Sequence, residues 1–172
     1  SKKIDPEIES RTVRLNDIKS RLTILARALT GNPIDIFSAE REGGYKNNNF
    51  FLPISFAELE TQEKNLSFYL FRILYLSIQQ RLDLNWKFSE NEQSLELSQQ
   101  KAFETSGEIL AVLFEEFSFD ENFHTNAKKH FTLKGTAKKA DDFSWLYGKW
   151  MQNERVLDSD KMLEHFSDKT KK

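Results

Sequence analysis

The chain has 172 residues, 13% of them aromatic, with no cysteine and a formal net charge of −2. That length can close one self-sufficient core, a cysteine-free composition excludes disulfides and thiolate metal sites and fits a cytoplasmic setting, and near-neutrality provides no field for nucleic acid. No run reaches the ~18 uninterrupted apolar residues of a membrane span, so the expectation is a single domain, 1–172, without one.

Ile4, Ile8, Leu15, Ile18, Leu22, Leu25 and Leu29 fall on one helical stripe, which predicts one long amphipathic helix. Asp5-Pro6 offers a cap and a first-turn proline, and Gly31 before Asn32-Pro33 offers a stop. The heptad-like spacing suits packing within a bundle, and the stripe is too short to demand a coiled-coil partner. Ile34-Asp-Ile-Phe37 and Asn49-Phe-Phe-Leu52 flank a polar, glycine-bearing stretch, which predicts a small β-hairpin over about 34–52.

The run from Asn65 to Gln80 is apolar in every direction around a helix, so a helix over about 61–82 should be central and surrounded. The pattern breaks at 83–90 around Trp86 and Phe88. A third helix over 91–117 places Phe103, Leu110, Leu113, Phe114 and Phe117 inside and Glu92, Glu96, Glu104, Glu108 and Glu115 outside, with Ser106-Gly107 as a point of close helix approach. Residues 120–130 read as one or two helical turns and 131–140 as an exposed basic connection. A further helix starts near Asp141 or Asp142 and turns Phe143, Leu146, Tyr147 and Trp150 inward. A short helix covers 158–166, and 168–172 form a frayed tail. The expected fold class is mainly α: a helical bundle around the buried helix 61–82, with the hairpin as an insert.

The chemistry-bearing residues are few. Glu121-Asn-Phe-His124 is one copy of a Glu-x-x-His spacing, whereas di-iron bundles need two copies and two further glutamates, and neither His130 nor His165 completes the set. Glu104 and Glu108 lie on the outer face, where no cleft can shift them for acid–base work. No nucleophile elbow, P-loop, dinucleotide fingerprint or zinc helix is present. The expectation is a non-enzyme with no cofactor and no metal site.

Charge is uneven, with 5 Lys or Arg against 11 Asp or Glu over residues 47–119 and mildly basic segments on either side. Loops on a rigid scaffold commonly carry recognition, so the partner-binding candidates are Gly43, Gly44 and Tyr45 with Lys128, Lys129, Lys134, Lys138 and Lys139. The alternative is a helical-bundle enzyme binding a small molecule or metal in a pocket lined by Phe68, Tyr69, Trp86 and Phe114.

Three segments, Leu22-Thr-Ile-Leu-Ala-Arg-Ala-Leu-Thr-Gly31-Asn-Pro-Ile34, Phe51-Leu-Pro53 and Asn65-Leu-Ser-Phe-Tyr-Leu70, resemble the N-terminal helical region of NorD-type nitric-oxide-reductase activation proteins. The likeness covers roughly residues 15–85. It implies the N-terminal part of a longer activator whose von Willebrand factor A domain binds a divalent metal, and which works with a MoxR-type AAA+ ATPase to activate or remodel a target enzyme. That domain's Asp-x-Ser-x-Ser motif has no match here: Asp142-Phe-Ser144 is followed by Trp145 and Leu146. No metal ligand carries over.

Overall fold

A computed structural model describes residues 3–91, 93–133 and 143–155. The predicted helix 158–166, the tail 168–172 and the connection beyond residue 133 lie outside these residues. In chain order the elements are α1 (Pro6–Arg11), β1 (Val13–Arg14), α2 (Leu15–Thr30), β2 (Asp35–Ala39), β3 (Gly44–Lys46), β4 (Asn49–Pro53), β5 (Ser55–Phe56), α3 (Gln62–Arg81), α4 (Leu95–Glu116), α5 (Phe119–Leu133) and α6 (Ser144–Tyr147).

The long N-terminal helix expected from the apolar stripe is two helices. Asp5 caps α1 by accepting the Glu7 N–H, and Gly31 ends α2 at φ +69°, where only glycine is unstrained. Between them Val13 and Arg14 are extended, pairing antiparallel with Phe56 and Ser55. Leu15 N–H then donates to Ile54 O at 3.0 Å. Ladder bonds to a distant strand thus outweigh local helical periodicity. The two halves accordingly differ in burial: Ile4 and Ile8 are 70% and 44% exposed, while Leu15, Ile18 and Leu22 are buried.

The hairpin prediction is also corrected. The segments 34–37 and 49–52 do not form the two arms of a hairpin; they lie in β2 and β4, which pair in parallel. The stretch read as a loop supplies β3, antiparallel to β4, and the strand order is β2-β4-β3. A two-residue turn at Asn47-Asn48 makes this tight reversal, with Asn47 at φ 52°, a left-handed conformation that asparagine tolerates. With a three-stranded mixed sheet and a second sheet of β1 and β5, the fold is mixed α/β rather than a mainly α bundle.

Helix α3 is capped by Thr61 and buries most of its length. Phe68 stacks on Phe56, and Tyr69 Oη donates to Pro53 O at 2.7 Å. Asn65 accepts from Leu59 N–H and donates to Arg11 O and Leu59 O, which ties the end of α1 and the loop before α3 to its first turn. The core joins side chains from α2 through α6 around this helix.

Helix α4 keeps Leu113 inside and Glu96, Glu104, Glu108 and Glu115 outside as expected, but the centre of its inner face is shifted. Its buried residues are Ser98, Gln99, Ala102, Thr105, Ile109 and Leu113, while Phe103, Leu110, Phe114 and Phe117 are only half-buried. Gly107 faces open space, so it is not a point of close approach. Helix α5 extends to Leu133 and buries Phe131, longer than the one or two turns expected. The helix expected to start near Asp141 or Asp142 is, among the described residues, the single turn α6, because Gly148 at φ 68° and ψ −153° turns the chain into a strap, 149–153. Among the described residues no helix is long and apolar enough to cross a membrane.

Candidate interaction groove

The strap is held on three sides. Lys149 N–H donates to Gly43 O, Trp150 N–H to Ser98 O and Asn153 N–H to Trp86 O, while Trp86 N–H donates to Met151 O, all at 2.9–3.0 Å. Met151 N–H donates to Asn85 Oδ1 at 2.6 Å. Asn47 closes the far end, its Oδ1 accepting from Glu154 N–H and its Nδ2 donating to Glu154 O.

Between the strap, the 83–90 segment and the first turn of α4 opens a groove of about 630 Å³. Trp86 and Trp150 form its wall, edge to face with ring centroids 5.0 Å apart. Their indole N–H groups donate to Ser98 Oγ at 3.0 Å and Thr105 Oγ1 at 3.2 Å, which fixes both rings and explains why α4 buries small hydroxyl residues. Phe88 and Leu95 stand beside them, 57% and 53% exposed. Lys46, Lys149 and Arg155 also line the groove, with Glu154 the carboxylate among them, 3.7 Å from Lys46.

Gly43, Gly44 and Tyr45 are buried beneath this strap rather than displayed on a loop. A Cβ on Gly43 would lie 2.0 Å from Phe51 O, and one on Gly44 2.4 Å from Lys149 O. Burial pushes the Tyr45 hydroxyl pKa well up. These three residues support the groove from below. Lys128 sits on α5 with its ammonium 5.7 Å from the Phe143 ring centroid, and Lys129 lines a separate pocket of about 370 Å³ with Leu59 and His130. Lys134, Lys138 and Lys139 lie outside the described residues. Of the four aromatics proposed to line a ligand pocket, Trp86 lines the groove, Phe68 and Tyr69 are core residues, and Phe114 packs on His124. Among the described residues no group of three or more His, Asp or Glu side chains could hold a metal ion.

Comparisons with protein-family models, curated proteins and solved structures return no match. The residues that carry the NorD likeness do scaffold work: Leu22 is core, Gly31 is a helix cap, Pro53 accepts from Tyr69, and Asn65 anchors the start of α3. None of the four lines the groove.

A second polar cluster lies where α5 meets α6. His124, buried, shares a 2.8 Å hydrogen bond with Tyr147 Oη; Glu121 of the Glu-x-x-His spacing is exposed. Burial, with Lys128 nearby, pulls the His124 pKa down from 6.5 to about 4. One turn earlier Asp120 is buried with Oδ2 lacking a partner, and burial raises its pKa from 3.8 to about 6. The two act oppositely on stability. Asp120 contributes stability below pH ~4 that is lost as pH rises through about 6, whereas His124 contributes stability above pH ~6.5 that is lost as pH falls through about 4. Asp120→Asn should therefore leave a fold whose urea midpoint rises between pH 4 and 6.5. His124→Gln should give one whose midpoint falls over pH 4 to 6, each trend on the order of 1–2 kcal/mol. Parallel profiles for the two variants would refute this assignment.

Proposed function

We propose that the chain is a non-enzymatic interaction domain and that the groove beside the strap is its binding face. The observation that carries this reading is the pairing of a wall fixed by indole hydrogen bonds with large, exposed apolar side chains at Phe88 and Leu95. A concave site already held in shape loses little entropy on binding, and buried aromatic anchors dominate interface energetics. The NorD likeness supplies the first partner to test, a MoxR-type AAA+ ATPase, with the enzyme it activates as the eventual target.

The test is light scattering of the chain with a MoxR-type AAA+ ATPase, with and without ATP, repeated with Phe88→Asp. A saturable complex that weakens at least tenfold in the variant supports both the partner and the face. A complex indifferent to Phe88→Asp moves the contact elsewhere, and no complex at all removes the ATPase as partner.

A further inference from the structure

Resting on the groove as binding face, we infer that its occupant is an acidic segment of a partner protein that inserts a large apolar side chain beside Phe88 and Leu95. Three cations, Lys46, Lys149 and Arg155, line the groove against a single carboxylate, Glu154, which already faces Lys46 at 3.7 Å. Lys101 adds a fourth positive charge nearby, its ammonium 5.3 Å from the Trp150 ring centroid. A negatively charged segment is steered to such a rim, and a positively charged one is repelled.

The rest of the site selects how that segment binds. Both indole N–H groups are engaged, so the tryptophans offer apolar surface and no free donor. The backbone N–H groups of Lys149, Trp150, Met151 and Asn153 are likewise bonded within the domain. That leaves little for an added β-strand to pair with and makes side-chain recognition the mode. The anchor contacts Phe88 and Leu95, and the flanking carboxylates meet the cations.

The chain reports its own occupancy, because two of its three tryptophans, Trp86 and Trp150, line the groove. Random tryptophan-free peptides displayed on phage should be selected against the whole chain, and binding of the winners read by tryptophan fluorescence. The expected winners carry an excess of Asp and Glu around a Phe, Leu or Met. Their affinity should fall at least tenfold with Phe88→Asp and with Lys149→Glu plus Arg155→Glu, and should weaken with added salt. Phe88 is largely exposed, so its variant should keep the wild-type melting curve, and the charge variant provides a second reading. Winners without acidic excess, winners that bind both variants as well as wild type, or no enrichment at all would overturn the assignment. Displacement by a synthetic peptide of residues 156–172, which carries Asp158, Asp160 and Glu164 among Leu157, Leu163 and Phe166, would give the groove to the chain's own sequence and overturn it too. If peptides prove neutral or basic while the ATPase complex still weakens in Phe88→Asp, the interaction reading stands and the acidic occupant falls.

Discussion

Gly148→Ala is expected to destabilise the fold by about 3 kcal/mol or more and to lift the strap off the groove. At φ 68° and ψ −153° residue 148 occupies backbone space that is essentially reserved for glycine. A Cβ there would also lie 2.7 Å from Arg72 Nη2 and 2.9 Å from Gly43 O. Neither neighbour can yield cheaply. The Arg72 guanidinium is fully buried and donates to Glu42 O at 2.7 Å and Trp145 O at 3.0 Å. Gly43 is wedged against Phe51 O and accepts the Lys149 N–H. The strap must therefore move, and Trp150 and Met151 with it. Urea unfolding should show the loss of stability, and the native tryptophan emission should shift to the red as Trp150 loses its cover. Gly107→Ala is the contrasting control: its Cβ meets nothing within 4 Å inside a regular helix, so it should stabilise by about 0.5–1 kcal/mol. A Gly148→Ala protein with wild-type midpoint and emission would contradict the strained seat.

Elements whose determinants are local were legible in the sequence. Asp5-Pro6 and Gly31 mark real helix ends, and the all-round apolar run yields α3 at Gln62–Arg81, inside the 61–82 expected. What escaped depends on partners far along the chain. Val13 and Arg14 look helical until Phe56 and Ser55 offer a ladder. The strand character of 34–37 and 49–52 was visible and the two segments do pair, but joining them as the arms of a hairpin missed their parallel sense and β3, whose Asn47-Asn48 turn makes β4 the centre of the sheet. The groove was hidden for a similar reason. Ser98 and Thr105 carry no apolar signal along α4, and the indole N–H groups of Trp86 and Trp150 are what make them interior. The strap itself has no periodicity to find, and Trp150, taken as a helix residue, is held instead by the 83–90 segment and α4.

Arg72→Met should cost about 3–5 kcal/mol, and the loss should be partly recovered by Glu42→Gln in the same chain. Among the described residues Arg72 is the largest fully buried side chain, and burial lowers its pKa from 12.5 to about 10, with Glu42 opposing the shift, so it remains charged at neutral pH. Its Nη1 alone reaches the carbonyls of Glu42 and Trp145, binding the sheet side and the α6 side of the fold to α3, while Nε and Nη2 have no hydrogen-bond partner. Methionine fills much of the space but leaves both carbonyls without that donor, the Glu42 one buried and the Trp145 one partly so. It also removes a positive charge that offsets the buried Glu42 carboxylate, whose remaining contacts are Gln99 Nε2 at 3.2 Å and Arg41 Nε at 3.4 Å. Neutralising that carboxylate should therefore help in the Arg72→Met background and hurt in the wild type, a coupling of about 1–3 kcal/mol in a double-mutant cycle. Hydrogen exchange locates the effect: the Lys149 and Trp150 amides should lose protection in Arg72→Met before the amides of α2 do, because α6 and the strap lose their tie to α3. Strict additivity of the two substitutions, or uniform loss of protection across the chain, would show that Arg72 acts as bulk packing and not as the charged link between the sheet, the strap and α3.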